Sequence, residues 1–207
     1  RYALGNSTAK IEAVELRQNV IDCAQEHFGL VPDDTFRIHV EDGTDFLERT
    51  ADETFDLMVV DVADPDAKDC EEDDSVLSLP PESWVEEDFL RSQLGRVLKR
   101  SGCLVLNVIA GRTRLQRLCV VLKAAFVQAY VLCTDPNYLV FLFHEPRRLA
   151  PEDIIALASA NPRLLQLAPT AMRIVRRTEA AVQATALMGW LELDRFAKLI
   201  LDPAFIV

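Results

Sequence analysis

Phe55-Asp56-Leu57-Met58-Val59-Val60-Asp61-Val62-Ala63-Asp64-Pro65 is the stretch on which the fold reading turns. Apolar residues run almost without a break through Phe55–Val62. Such a run suits a β-strand covered on both faces, as strands of a parallel sheet are. The strand then delivers Asp61 and Asp64 into a loop. In open α/β sheets ligands bind at the carboxyl edge of the strands. The pair of acids therefore reads as a site for a cofactor hydroxyl or a cationic substrate.

Working outward, the N-terminal side repeats the same grammar. Lys10–Leu16 alternates and ends near Glu15, so it is read as a strand. Arg17–Phe28 places Val20, Ile21, Ala24 and Phe28 at helical spacing, and Gly29 stops it. Phe36–Val40 is a second strand, followed by Glu41-Asp42-Gly43 and a short helix over Thr44–Thr50. On the C-terminal side, Asp64–Pro81 is an acidic loop and Ser83–Leu98 a helix with Trp84, Phe89, Leu90, Leu94 and Leu98 on its apolar side. Ser101-Gly102 turns the chain into a buried strand, Cys103–Ile109, and Arg112–Phe126 is a helix. Ala129–Cys133 and Leu139–Phe143 form a terminal antiparallel pair.

Strand and helix alternate to about residue 126, after which two strands come together. That order implies an α/β, doubly wound, Rossmann-like sheet, mostly parallel with an antiparallel edge strand. Pro146 to Pro151 marks a boundary, giving an α/β domain over residues 1–146 and a helical extension over 147–207 that packs on it. Glu152–Ala160, Thr170–Met188 and Leu191–Leu201 are the extension's candidate helices.

Composition narrows the function. The chain has 207 residues, half of them hydrophobic, which excludes a disordered protein. Its longest apolar runs fall far short of the ~20 residues that cross a bilayer. A formal net charge of −11 argues against nucleic acid as the main partner and fits a cationic ligand or a basic protein surface. Cys23, Cys70, Cys103, Cys119 and Cys133 are scattered, with no C-x-x-C pair, so reduced and mostly buried thiols in an intracellular, cytoplasmic setting are expected rather than disulfides or a metal site. His27, His39 and His144 show no ligand or triad spacing and are read as structural.

Three acids stand at strand ends: Glu15, Asp42 and Asp61. A strand-end carboxylate suits the paired hydroxyls of a ribose, because it accepts two hydrogen bonds at a fixed spacing. An acid followed by glycine, as in Asp42-Gly43, lets a flat base approach the backbone. Any one of the three alone is better explained as the point where a buried strand meets water. Three in this order point to a single crevice.

The series V-E-L, then E-D-G-T-D-F-L, then F-D-L-M-V-V-D-V-A-D-P resembles the class I S-adenosylmethionine-dependent methyltransferases, in their spermidine-synthase-like branch. The resemblance runs from about Lys10 to Pro146. It includes Phe28-Gly29, Pro80-Pro81, Phe89-Leu90 and Val105-Leu106-Asn107. It implies S-adenosylmethionine as cofactor, with Glu15 at the ribose hydroxyls, Asp42 and Gly43 at the adenine edge, and Asp61 beside the methionine moiety and the reaction centre. Asp61–Pro65 also resembles the D-x-x-D-P tract of the aminopropyltransferases, where the two acids hold the amine. The resemblance thus implies methyl transfer to a protein amine, a lysine or an N-terminus, with Asp61 and Asp64 as catalytic carboxylates. Asp64-Pro65 reads equally well as a plain turn-starting step.

The chain also departs from that family. Its seven glycines never fall as G-x-G, and only Arg1–Ala9, with a single Gly5, precede the first strand. Leu16-Arg17-Gln18 replaces the acidic, proline-containing step usual after the ribose-binding acid. Two explanations stay open: the first strand and glycine turn lie in a preceding segment, or the protein has lost them. On the second, the chain is a non-catalytic subunit of a larger assembly. Transfer of an aminopropyl group to a polyamine is the further alternative. The acidic loop Asp64–Asp74 recruits a basic substrate or is simply a solvated charge run.

Overall fold

The computed structural model describes residues 9–63, 74–133, 137–147 and 190–192. The chain divides into two compact units, Arg1–Ala51 and Asp52–Val207.

In the first unit, β1 (Ile11–Glu15) and β2 (Phe36–Val40) pair in parallel, in register from Ile11 opposite Phe36 to Glu15 opposite Val40. Between them runs α1 (Gln18–Phe28), which Gly29 ends by taking a φ of 65°, a left-handed turn that glycine makes without a steric penalty. The expected apolar face of α1 is only partly used: Ile21 is buried, whereas Phe28 is 81% exposed. α2 (Gly43–Arg49) follows β2 and buries Phe46 and Leu47.

The second unit is built on a mixed sheet in the order β3-β5-β7-β6-β8, with β4 also on β5. The strands are β3 (Phe55–Val60), β4 (Leu77–Leu79), β5 (Leu98–Ala110), β6 (Gln128–Cys133), β7 (Tyr138–Phe143) and β8 (Trp190–Glu192). β3 and β5 run in parallel. β7 runs against β5 and against β6, so that β3, β5 and β6 share one direction, while β8 lies antiparallel at the far rim. The expected α/β sheet, mostly parallel with an antiparallel edge, is present.

α5 (Arg112–Ala125) contributes Leu115, Leu118 and Leu122 to the core, where they join Leu104, Leu106, Val108, Val140 and Leu142. Register puts Met58 and Val60 of β3 on the same face as Leu104 and Leu106. Leu57 and Val59 point to the other face and are 58% and 62% exposed. The strand expected to be covered on both faces is therefore deeply covered on one, because β3 is the terminal strand of this sheet and the described helical cover lies on its core side.

Several element boundaries differ from expectation. Ser83–Leu98 is not one helix. A 3-10 turn over Glu82–Val85 is followed by extended backbone at Glu86, then α3 (Glu87–Phe89), a π-helical turn over Leu90–Leu94 and α4 (Gly95–Val97). Its apolar side still packs as the spacing predicts: Leu90 and Leu94 are fully buried, and Trp84 meets Phe89 at 5.2 Å. β5 begins at Leu98, five residues early, because the expected turn at Ser101-Gly102 survives as a bulge. Phe55 pairs Leu98, but Leu57 already pairs Cys103. A Cβ on Gly102 would stand 2.8 Å from Leu98 Cδ1, so the bulge needs glycine there.

Leu77–Leu79, expected as loop, is β4. Leu191 and Glu192, expected as the start of a helix, lie in β8 on β6. The helices over Glu152–Ala160 and Thr170–Met188, and the rest of the extension, lie outside the described residues. No described helix is long and apolar enough to cross a membrane.

Candidate functional site

In the first unit, the parallel register of β1 and β2 brings their carboxyl ends level. Glu15 is opposite Val40, and the Glu41 N–H donates to the Glu15 carbonyl at 3.2 Å. Glu15 and Asp42-Gly43 therefore share one sheet edge, as the sequence led one to expect. Glu15 Oε1 accepts from the backbone N–H of Arg17 at 3.0 Å and from its Nε at 3.4 Å. Arg17 thus flanks Glu15 directly. Asp42 caps α2: its Oδ1 accepts from the Thr44 hydroxyl at 2.6 Å and the Thr44 N–H at 2.7 Å. The hydroxyl and then the amide hold the Asp42 carboxyl below the usual range. Gly43 takes no left-handed backbone, so conformation alone does not demand glycine at this position.

Behind this edge lies a polar network that sequence reading left unassigned. His39 Nε2 meets Glu12 Oε2 at 2.6 Å, and its Nδ1 stands 3.6 Å from Glu41. Arg49 grips Glu41 through Nε at 3.1 Å and through its terminal nitrogen, and its guanidinium lies 4.9 Å over Phe46. That Arg49 hydrogen bond holds the Glu41 carboxyl below its ordinary range. His39, packed 5.0 Å from the Phe46 ring, serves as the structural group it was expected to be.

In the second unit, Asp61 follows β3 directly and is exposed. Val60 pairs Leu106, so Asp61 stands beside Asn107. Asn107 Nδ2 donates to Asp61 Oδ1 at 2.8 Å, and Asn137 Nδ2 donates to Asn107 Oδ1 at 2.7 Å. Neither asparagine was counted as a site residue from sequence. A signal was there: Asn107 is the lone polar residue of the apolar run Cys103–Ile109. Asp64 lies outside the described residues.

Glu15, Asp42 and Asp61 share one feature. Each has one carboxylate oxygen fixed by a local donor, and among the described residues no hydrogen bond reaches the other. Carboxylates oriented in this way suit hydroxyl and amine donors of a ligand.

The acidic loop also contains a structural residue. Asp74 caps α5, accepting from the Arg112 and Thr113 amides and, at 2.7 Å, from the Thr113 hydroxyl. Gly111 permits this, because a Cβ there would lie 2.4 Å from the Asp74 carbonyl oxygen. Among the described residues no group of three His, Cys, Asp or Glu is placed to hold a metal.

This fold, with acids at its strand ends, is similar to that of a methyltransferase and, in fold alone, to that of a spermidine synthase. No family model matches the chain. The sequence is similar to the eEF1A lysine and N-terminal methyltransferase of Mus musculus, with 28% identity over 165 residues, which is 76% of this chain and 23% of the mouse protein. The crystal structure of human methyltransferase-like protein 13 in complex with SAH matches at a TM-score of 0.63 and 27% identity, over 76% of this chain and 71% of that one. A probable spermidine synthase from Corynebacterium glutamicum matches at 0.58 and 15% identity, over 90% of this chain and 60% of the other, a likeness of fold alone. The chain spans less than a quarter of the length of the curated relatives it matches. The resemblance read from the strand-end residues is matched by these likenesses to methyltransferases in sequence and fold.

Proposed function

We propose that the protein is an S-adenosylmethionine-dependent N-methyltransferase acting on a protein amine, a lysine or an N-terminus. The observation that carries this reading is the likeness, over three quarters of the chain, to enzymes named for methylating lysine and the N-terminus of eEF1A. The setting proposed with it is intracellular and cytoplasmic, and the net charge of −11 suits a basic protein substrate.

When bound, the cofactor supplies a methyl group on a sulfonium, which is already a good leaving group. Glu15 would accept from the ribose hydroxyls, Asp42 with the Gly43 backbone would border the adenine, and Asp61 would lie beside the methionine moiety. The protein's remaining task is to align an amine lone pair and keep it unprotonated. Asp61 Oδ2 would accept a hydrogen bond from the amine and take up its proton, and Asp64 would act as the second acid on the amine.

Calorimetric titration with S-adenosylmethionine, followed by transfer of a labelled methyl group to elongation factor 1-alpha, tests this. Saturable binding with label on the factor is the expected result. No heat at millimolar cofactor would sink the proposal and favour a non-catalytic subunit of a larger assembly. Label transfer from an aminopropyl donor to a polyamine would instead favour the aminopropyltransferase reading.

A further inference from the structure

We propose that Asn107 and Asn137 form a one-directional hydrogen-bond relay that fixes the Asp61 carboxylate for its work on the amine, so that both are positioning residues; the catalytic part of the claim rests on the methyltransferase reading. Direction follows from chemistry. A side-chain amide has one acceptor oxygen and one donor nitrogen. Asn137 donates into the oxygen of Asn107 at 2.7 Å, which leaves the Asn107 nitrogen to face Asp61, where it donates at 2.8 Å. If Asn107 flipped, its oxygen would face a carboxylate and its nitrogen the Asn137 donor, two repulsive contacts in place of two bonds.

The fold supports each link. Asn107 lies between Leu106 and Val108, both fully buried, on a strand flanked by β3 and β7. Its register partner on β7 is Leu139, so Asn137 sits two residues further along the same face. On the other side Asp61 directly follows Val60, which pairs Leu106, and so stands next to Asn107. β5 and the residues that flank the ends of β3 and β7 thus contribute one polar residue each to a line that ends at the carboxylate. The Oδ1 of Asp61 is held, and among the described residues no hydrogen bond reaches its Oδ2. A polar residue inside an apolar strand lowers stability unless it is satisfied. Here it is satisfied from both sides.

Two measurements test the relay. The first is NMR of the Asn107 side-chain amide in the whole chain, which does not require turnover. The amide resonances should follow the protonation of Asp61, and this coupling should weaken in Asn137→Ala, where the carboxylate alone orients the Asn107 amide. Coupling that persists unchanged in Asn137→Ala, or is absent in the wild type, overturns the relay.

The second is kinetic. Asn107→Asp keeps the shape but replaces the donor by an acceptor, and it should lower kcat about 100-fold with cofactor affinity unchanged. Asn137→Ser, which can still donate, should retain most of the activity that Asn137→Ala loses. Wild-type kcat in Asn107→Asp would refute the positioning role. If the wild type itself transfers no methyl group, the methyltransferase reading fails while the NMR result still decides the relay.

Discussion

A carboxylate does directed chemistry only if something holds it, and in this chain the holding groups are local. Arg17 holds Glu15, Thr44 holds Asp42 and Asn107 holds Asp61. Asp61→Asn keeps the size of the side chain and removes its capacity to take a proton. Under the proposed mechanism it should cut methyl transfer about 100-fold or more while leaving the melting temperature within a few degrees; unchanged turnover would remove Asp61 from the mechanism. The thiols give a separate check on burial. Cys119 is buried and pushed up to about 12, and Cys103, half-buried, up to about 11, in both cases because burial penalises the thiolate. Cys23 is exposed, contrary to the expectation of mostly buried thiols. At pH 8 an alkylating reagent should therefore modify Cys23 quickly and Cys119 only on unfolding, as peptide mapping would show. At this scale the acids were legible because strand ends are legible. Their holders were not, because Asn107 becomes a partner of Asp61 only through the register of two strands more than forty residues apart.

Elements were legible where one rule dominated and obscure where two competed. The run Phe55–Val60 and the periodic helix Arg112–Ala125 form as the pattern predicts. The segment from Glu82 to Val97 does not form one helix: its apolar spacing is helical, but extended backbone at Glu86 and the close approach of Gly95 to His144 divide it into unlike turns. The acidic loop misled for a different reason. A run of Asp and Glu reads as solvated, yet Asp74 closes the start of α5. Asp74→Ala should cost about 1 kcal/mol at neutral pH, within the usual range for losing a helix cap. The pH dependence has a definite sign. The Thr113 hydroxyl and the helix amides lower the Asp74 pKa in the folded state below the ordinary 3.8. Its stabilisation is therefore complete above the unfolded value and is lost as pH falls through the folded one. Denaturant titrations should show wild type and Asp74→Ala about 1 kcal/mol apart at pH 7 and converging as pH falls through the lowered folded-state value. A gap that stays constant to low pH would mean that the charge on Asp74 plays no part.

The whole molecule divides its stability unevenly. β5 has a strand on either side and carries Leu104, Leu106 and Val108, all fully buried. β1 and β2 form a sheet of two strands, and every residue of β1 is only half-buried. A two-stranded sheet is marginal by itself in water. Amides of β5 should therefore exchange with solvent only on global unfolding, and those of β1 and β2 through smaller, more frequent openings. Hydrogen exchange read by mass spectrometry should show at least ten-fold faster uptake in Ile11–Glu15 and Phe36–Val40 than in Leu104–Val108, a gap of about 1.4 kcal/mol or more in opening free energy. Equal protection would mean that the two units open as one. The same measurement bears on function. A ligand that binds the folded form stabilises what it touches by RT ln(1 + [L]/Kd), about 2.7 kcal/mol at a hundred-fold excess over Kd. If Glu15 and Asp42 hold the ribose and adenine, saturating S-adenosylmethionine should slow exchange in β1 and β2 by up to about 100-fold and leave the already protected centre of β5 little changed. Binding that protects the end of β3 and leaves β1 and β2 exchanging as before would separate Asp61 from the other two acids and remove Glu15 and Asp42 from the cofactor site.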